Sequence, residues 1–384
     1  MPASLPPPHF IDHQRGFRDL VRRLEAEPQI AVDTESNSLF AYFERVCLIQ
    51  ISTPADDWIL DPLHIGDLSP LTPIFASERI EKVFHAAEYD VMCLKRDFGF
   101  EFANLFDTMQ AARIVGWKSF GLGSLLEQHF GVKPDKRYQR ADWSMRPLPH
   151  DQIRYAQLDT HFLLRLRAIL HQALVEQDCL EEAREAFASV AETLPAPERV
   201  LDPDDCWSLP AARSLNRRQI GALRELFTLR DQIARERDLP VFKIIGDEGL
   251  VRIVEESPQS ERDLVEIPGV GRHLAQRYGG ALIAALNKGL NAPPPRPPRR
   301  QRQDTALLVR FDALREWRRD AAEQRGVESD VIIAKEVLWA IARADPSNLE
   351  QLAQVPGMGA WKLKRYGVRL LEVLAEVRAR VTKT

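Results

Sequence analysis

Four carboxylates and one phenol, spread over the first 160 residues, are the side chains best placed by type and spacing to do chemistry. Asp33 and Glu35 stand in AVDTES, Asp90 closes HAAEYD, and Tyr155 and Asp159 stand in RYAQLD. Carboxylates are hard oxygen ligands suited to Mg²⁺ or Mn²⁺. Two such ions about 4 Å apart clamp the attacking and the leaving oxygen of a phosphodiester. If these five side chains meet in space, the chemistry open to them is metal-assisted hydrolysis of a nucleic-acid backbone. Taken singly, each motif reads more readily as solvated surface acid.

The elements expected around them favour convergence. QIAVD (29–33), VCLIQIS (46–52), WILD (58–61) and KVFH (82–85) are short β-branched or aromatic runs that read as strands. Helical periodicity follows near 87–98, 107–116, 124–130 and 149–176. Asp33 and Glu35 lie two apart at a strand end and so face one side. Tyr155 and Asp159 lie four apart on a helix and so are neighbours on one face. Asp90 falls near the start of the helix after KVFH. Strands followed by helices that cover them make an α/β domain, expected over 1–195.

Downstream, the segments 210–290 and 304–384 are a repeat. Shifted by 88, Leu226, Arg230, Ala234 and Arg237 fall on Leu314, Arg318, Ala322 and Arg325; IPGVG at 267–271 falls on VPGMG at 355–359, and RYG at 277–279 on RYG at 365–367. Both copies read as small all-α domains, with the Pro-Gly-x-Gly breaking chain direction between helices. Between them NAPPPRPPRRQRQ (291–303), with five prolines, four arginines and no acid, reads as a stiff basic linker.

Composition bounds the class. The chain has 384 residues, 45% hydrophobic and 28% charged, as in soluble globular proteins of more than one domain. No apolar run approaches the roughly 18 residues of a membrane span. MPASLPPPHF lacks the basic start and apolar stretch of a secretory signal, and the four cysteines form no CxxC pair. A cytoplasmic location with reduced thiols is expected. Residues 291–384 carry 18 basic and 12 acidic residues, against 34 and 44 in the rest, a basic tail on an acidic body. That asymmetry suits a nucleic-acid partner as well as it suits ordinary surface charge.

In its ordered set of motifs the chain resembles the ribonuclease D family, DEDD-superfamily 3′→5′ exonucleases of the subgroup with tyrosine in the third motif. The resemblance runs through DTE at 33–35, LIQIS at 48–52, HAAEYD at 85–90, FDT at 106–108, GLGSLLEQHFG at 121–131, ADWSMRPL at 141–148 and YAQLD at 155–159. Residues 212–290 and 306–380 resemble HRDC domains, a helical module shared with RecQ-type helicases. The resemblance implies a ribonuclease H-like domain, a mixed sheet with helices, followed by two all-α HRDC-type domains. It implies a monomer acting on RNA, with trimming of tRNA precursors and single-stranded 3′ tails of small structured RNAs. Asp33, Glu35 and Asp159 would hold the first of two divalent ions, Asp33 and Asp90 the second, and Tyr155 would orient the attacking water.

Substrate contacts are implied for His85 at the terminal nucleotide and for Arg140 and Arg146 at phosphate. Ser36 stands where many family members carry an aromatic residue, so the resemblance leaves two readings: Phe40 or Tyr42 takes over the stacking role, or stacking is weaker. Trp143 reads as a packing anchor. In the second repeat WKLKRYG (361–367) offers Lys362, Lys364 and Arg365 to phosphate, where the first has the less basic HLAQRYG. Rival readings are a Werner-type DNA exonuclease with the same site, and a non-catalytic binding protein using the helical repeats. A helicase fragment is excluded by the missing GxxxxGK[ST] loop.

Overall fold

The computed structural model describes residues 5–195, 200–297 and 304–381. The N-terminal part runs β1 (His9–Ile11), α1 (Gln14–Leu24), β2 (Gln29–Ser36), β3 (Val46–Ser52), β4 (Asp57–Leu60), α2 (Pro62–Ile65), α3 (Thr72–Phe75), β5 (Glu81–Phe84), α4 (Glu88–Phe98), β6 (Leu105–Asp107), α5 (Thr108–Ile114), α6 (Leu122–Phe130), α7 (His150–His161), α8 (Leu163–Glu176) and α9 (Leu180–Ala191). The strands make one mixed sheet in the order β1-β4-β3-β2-β5-β6. The central pairs β2–β3 and β3–β4 are antiparallel, and β1–β4, β2–β5 and β5–β6 are parallel.

Sequence dictates this locally. Every residue of β3, VCLIQIS, is buried, so it reads as a continuous apolar run. Helix α1 turns Phe17, Leu20, Val21 and Leu24 inward at helical spacing, while its arginines stay in solvent. These side chains join Ile30 and Val32 of β2, Val83 and Phe84 of β5, and Leu166, Leu170 and Leu174 of α8 in the main core. A smaller cluster beneath α7 contains Leu48, Ile59, Trp143, Leu148, Tyr155 and Ala156, which makes Trp143 a packing residue.

The helical repeats are α10 (Arg217–Glu236), α11 (Val241–Ile244), α12 (Asp247–Glu256), α13 (Glu261–Glu266) and α14 (Arg272–Asn291), then α15 (Thr305–Arg325), α16 (Ser329–Ile332), α17 (Lys335–Ala344), α18 (Leu349–Ala353) and α19 (Ala360–Val381). Each helix of the second copy begins 88 residues after its counterpart. The shared residues are structural. Leu226 and Leu314, Ile244 and Ile332, and Leu264 and Leu352 are buried pairs. Arg230 donates to the Ile245 carbonyl at 3.1 Å, and Arg318 to the Ile333 carbonyl at 3.0 Å.

By its internal packing the chain divides into two compact units. One is Met1–Ser36, Val46–Ala196 and Arg302–Thr384; the other is Asn37–Arg45 and Pro197–Gln301. The first unit therefore joins the α/β domain to the second repeat. There Arg325 grips buried Glu182 with two bonds of 2.7 and 2.8 Å and also reaches the Tyr366 hydroxyl at 3.0 Å. Arg113 pairs with Glu328 and Asp330. Of the 291–303 linker, residues 293–297 carry no helix or strand and 298–303 lie outside the described residues.

Candidate active site

Asp33 and Glu35 leave the end of β2 on one side of the sheet, just before a register shift between Glu35 and Ser36. Helix α7 brings Asp159. Ligand oxygens of Asp33, Glu35 and Asp159 lie within 4.8 Å of one another. Asp90, in the first turn of α4, is outside that triplet but hydrogen-bonded to the hydroxyl of Thr34, which stands between the two strand carboxylates. Tyr155, one turn before Asp159 on α7, is 8% exposed.

Electrostatics tie the four acids together. Burial, then repulsion from Asp90, Asp159 and Glu35, holds the Asp33 carboxyl well above the usual range. Burial, Asp159 and Asp90 do the same to Glu35. Asp90 is pushed up to about 7 by burial, with help from the charge on Asp107 and against a lowering hydrogen bond from Thr34. Asp159 is pushed up to about 8 by burial and Asp90. Oxygen donors crowded this closely, with mutual repulsion as the cost, fit a divalent cation. Asp33, Glu35 and Asp159 would hold it, with Asp90 completing the acidic wall. Burial first, then Asp159, Glu35 and Asp33, pushes the Tyr155 phenol far above its usual value, so it remains a proton donor at any working pH.

Two networks position these groups, one centred on Asp107 of the FDT block and one on Asp57, which no sequence motif announced. Buried Asp107 accepts from the backbone N–H of Ala86, Ala87, Met109 and Gln110 at 2.8–3.1 Å. It thus caps α5 and ties down the entry to α4, where Ala86 sits at φ 61°, a strained conformation for a residue with a Cβ. Asp57 of β4 anchors α7: it meets Gln157 at 2.7 Å, His161 at 2.8 Å and Ser52 at 2.6 Å, and Ser52 lies 2.7 Å from Thr160. Polar residues i, i+3 and i+4 on a helix facing a strand Asp were the available signal.

The expected substrate residues part company. His85 is half-buried, and burial lowers its pKa to about 4, so it is neutral. Its Nδ1 meets the Thr108 hydroxyl at 2.9 Å. That hydroxyl donates to the Phe84 carbonyl, so Nδ1 carries the proton and Nε2 is left as an acceptor. Arg140 is exposed. Arg146 has all five N–H donors engaged, on Asp61 and on the carbonyls of Trp143, Met145 and Cys47. Phe40 belongs to the Asn37–Arg45 segment of the other compact unit, where the Lys243 ammonium lies 3.9 Å over its ring. Tyr42 there bonds Asp231 at 2.8 Å. The aromatic residue beside the first motif is instead Tyr89, 43% exposed, with its hydroxyl 3.3 Å from Ser36 Oγ.

In the second repeat Lys364 and Arg365 are exposed, but Lys362 is committed to docking. The Glu185 carboxylate of α9 accepts from Lys362 Nζ at 2.9 Å and from the Trp361 N–H at 2.6 Å, at the N-terminus of α19. A Cβ on Gly359 would stand 2.1 Å from that carboxyl, so only glycine permits the approach.

Comparison with known proteins agrees with this geometry. Residues 8–175 match the 3'-5' exonuclease family, and residues 219–286 and 308–374 each match the HRDC domain. Ribonuclease D of Gluconacetobacter diazotrophicus is 31% identical over 303 residues, covering 78% of this chain and 76% of that protein. Protein RRP6-like 2 of Arabidopsis thaliana is 32% identical over 316 residues, covering 75% of this chain; the chain spans 36% of that longer protein. Among solved structures, RNase D of Escherichia coli, an exoribonuclease involved in structured RNA processing, superposes with a TM-score of 0.67 at 26% identity, covering 96% of this chain and 99% of that one.

Proposed function

The chain belongs to the ribonuclease D family, and from that premise we propose that it hydrolyses RNA from the 3′ end, releasing nucleoside 5′-monophosphates. The observation that carries the reading is the approach of Asp33, Glu35 and Asp159 to within 4.8 Å beside a buried tyrosine. Two divalent ions, Mg²⁺ or Mn²⁺, are the cofactors this donor set suits, held by Asp33, Glu35, Asp159 and Asp90. Bound there, they acidify water and neutralise charge that develops on the phosphoryl oxygens. Tyr155 remains a protonated phenol and orients the attacking water by hydrogen bonding. His85, neutral, offers Nε2 to a donor on the terminal nucleotide, such as a ribose hydroxyl. Asp107 and Asp57 hold the α4 entry and α7, so the reacting geometry is set before substrate arrives.

The substrate class we propose is single-stranded 3′ tails of structured RNAs, tRNA precursors included. The protein should be tested on 3′-extended tRNA, linear RNA and linear DNA of matched sequence, with Mg²⁺ or Mn²⁺ and with chelator. Stepwise 3′ shortening of RNA, lost on chelation, is expected. Equal rates on RNA and DNA would favour a general exonuclease of the Werner type, and hydrolysis that survived chelation would overturn the metal-based mechanism. No helix of the described residues is long and apolar enough to cross a membrane.

A further inference from the structure

We propose that a cavity sharing Tyr155 with the carboxylate cluster seats one nucleotide of the single-stranded substrate, with its base against Tyr138 and its phosphate at Arg154. The inference rests on the exoribonuclease reading and adds where the strand is gripped. The cavity, of about 380 Å³, is lined by Lys133, Tyr138, Arg154, Tyr155, Leu158 and Phe162 among others. Helical pitch explains how Tyr155 serves both sites. Positions 151, 154, 155, 158 and 162 run along one stripe of α7, while Asp159, four residues after Tyr155, stands on the edge that turns to the strand carboxylates.

The lining matches a nucleotide in two ways. Its floor is apolar and aromatic: the rings of Tyr138 and Tyr155 lie 5.9 Å apart at 52°, and Leu158 and Phe162 complete it. Aromatic faces stack with any base, which suits an enzyme that must accept each residue of a strand in turn. Its rim carries three cations, Lys133, Arg137 and Arg154, and two acids, Asp135 and Asp151. Arg154 is exposed and has no hydrogen-bond or ion-pair partner among the described residues. Lys133 lies 3.7 Å from Glu127, with both side chains largely exposed. Arg137 on the same rim is, by contrast, taken up by Asp135 through both Nε and Nη2. An available cation over an aromatic floor is the chemistry of a base joined to a phosphate. The volume falls at the small end of ligand cavities, roughly 300–1,000 Å³, and suits one nucleotide rather than paired strands.

The test uses the full chain, a 5′-labelled single-stranded RNA, steady-state kinetics with divalent metal, and RNA binding in chelator. Tyr138→Ala and Arg154→Ala should each raise KM, and Kd in chelator, about tenfold, as the loss of one stacked base or one phosphate contact does, with kcat changed far less. Tyr138→Phe and Arg154→Lys should restore most of the affinity, because ring and charge return. Arg154→Ala should also reduce the slope of log K against log salt by about 0.7. Wild-type KM, Kd and salt slope in both alanine variants, in a protein that digests RNA, would overturn the nucleotide seat and leave the exoribonuclease reading intact. A wild-type protein that failed to digest RNA would sink that reading and the seat with it.

Discussion

Replacing Asp159 by Asn is expected to abolish hydrolysis and, at alkaline pH, to make the metal-free protein more stable. Asp159 is 8% exposed, and burial, then Asp90, pushes its carboxyl from 3.8 to about 8. Each tenfold change in proton affinity is worth about 1.4 kcal/mol, so ionised Asp159 burdens the metal-free fold by ~6 kcal/mol. The direction follows from proton uptake. Between about pH 4 and pH 8 the folded chain binds this proton and the unfolded chain does not, so stability falls as pH rises through that window. Below it both states are protonated, and the burden is gone. Asn keeps the shape without the charge. Asp33, Glu35 and Asp90 then ionise more readily and return part of the relief, which leaves about 2 kcal/mol. For a domain of this size that is a rise in Tm of about 4–8 °C. Calorimetry in chelator at pH 8.5 should show the gain, at pH 5 it should shrink, and saturating Mg²⁺ should reverse the order by stabilising only the wild type. A variant melting at or below wild type at pH 8.5 in chelator would refute the electrostatic account.

Other perturbations separate chemistry from support. Asp107→Ala strands four backbone donors and frees the strained Ala86 turn; kcat should fall at least tenfold, with ~2–4 kcal/mol of stability lost in denaturant melts. Arg146→Ala should act as a core defect, since it takes the guanidinium from buried Asp61 and leaves it only His64 and the Leu63 N–H: a loss of about 3 kcal/mol is expected with KM for RNA little changed, and a raised KM without destabilisation would favour Arg146 as a phosphate ligand. Arg325→Ala leaves Glu182 buried without its partner, and limited proteolysis should then release the second helical repeat well before the α/β domain is cut. Lys362→Ala should weaken the same docking and leave RNA affinity near wild type, whereas Lys364→Ala with Arg365→Ala is the pair to test for phosphate binding.

Much of this was legible in the chain because the signals are periodic. The i, i+2 spacing of Asp33 and Glu35 and the i, i+4 spacing of Tyr155 and Asp159 place carboxylates on faces, and those faces do meet. The 88-residue repeat announced two like sets of helices, and each helix of the second copy does begin 88 residues after its counterpart. Three-residue strands such as β1 and β6 are too short to show alternation, and they escaped. What periodicity cannot supply is the partner of a charged side chain. Arg146 and Lys362 carry the right chemistry for phosphate, yet Asp61 and Glu185 had already claimed them, from 85 and 177 positions away. The surroundings of Phe40 were hidden for a related reason: the loop that carries it, between two strands, packs with residues beyond position 197.

The contact between Glu185 and the Gly-Met-Gly turn has a consequence for how the duplicated modules are used. At the places of Trp361 and Lys362 the first copy has His273 and Leu274, and the glycine equivalent to Gly359, Gly271, has nothing within 4 Å of where its Cβ would be. Twins that still share every helix start have therefore ceased to be interchangeable parts. A chimera carrying two first copies would keep the latch from arginine to isoleucine carbonyl in each and fold both, yet it would present leucine to a carboxylate at the seat on α9. Duplication followed by division of labour is written in that one pair of positions: one module has become a fixture of the catalytic body, and its sibling retains a turn still open to solution.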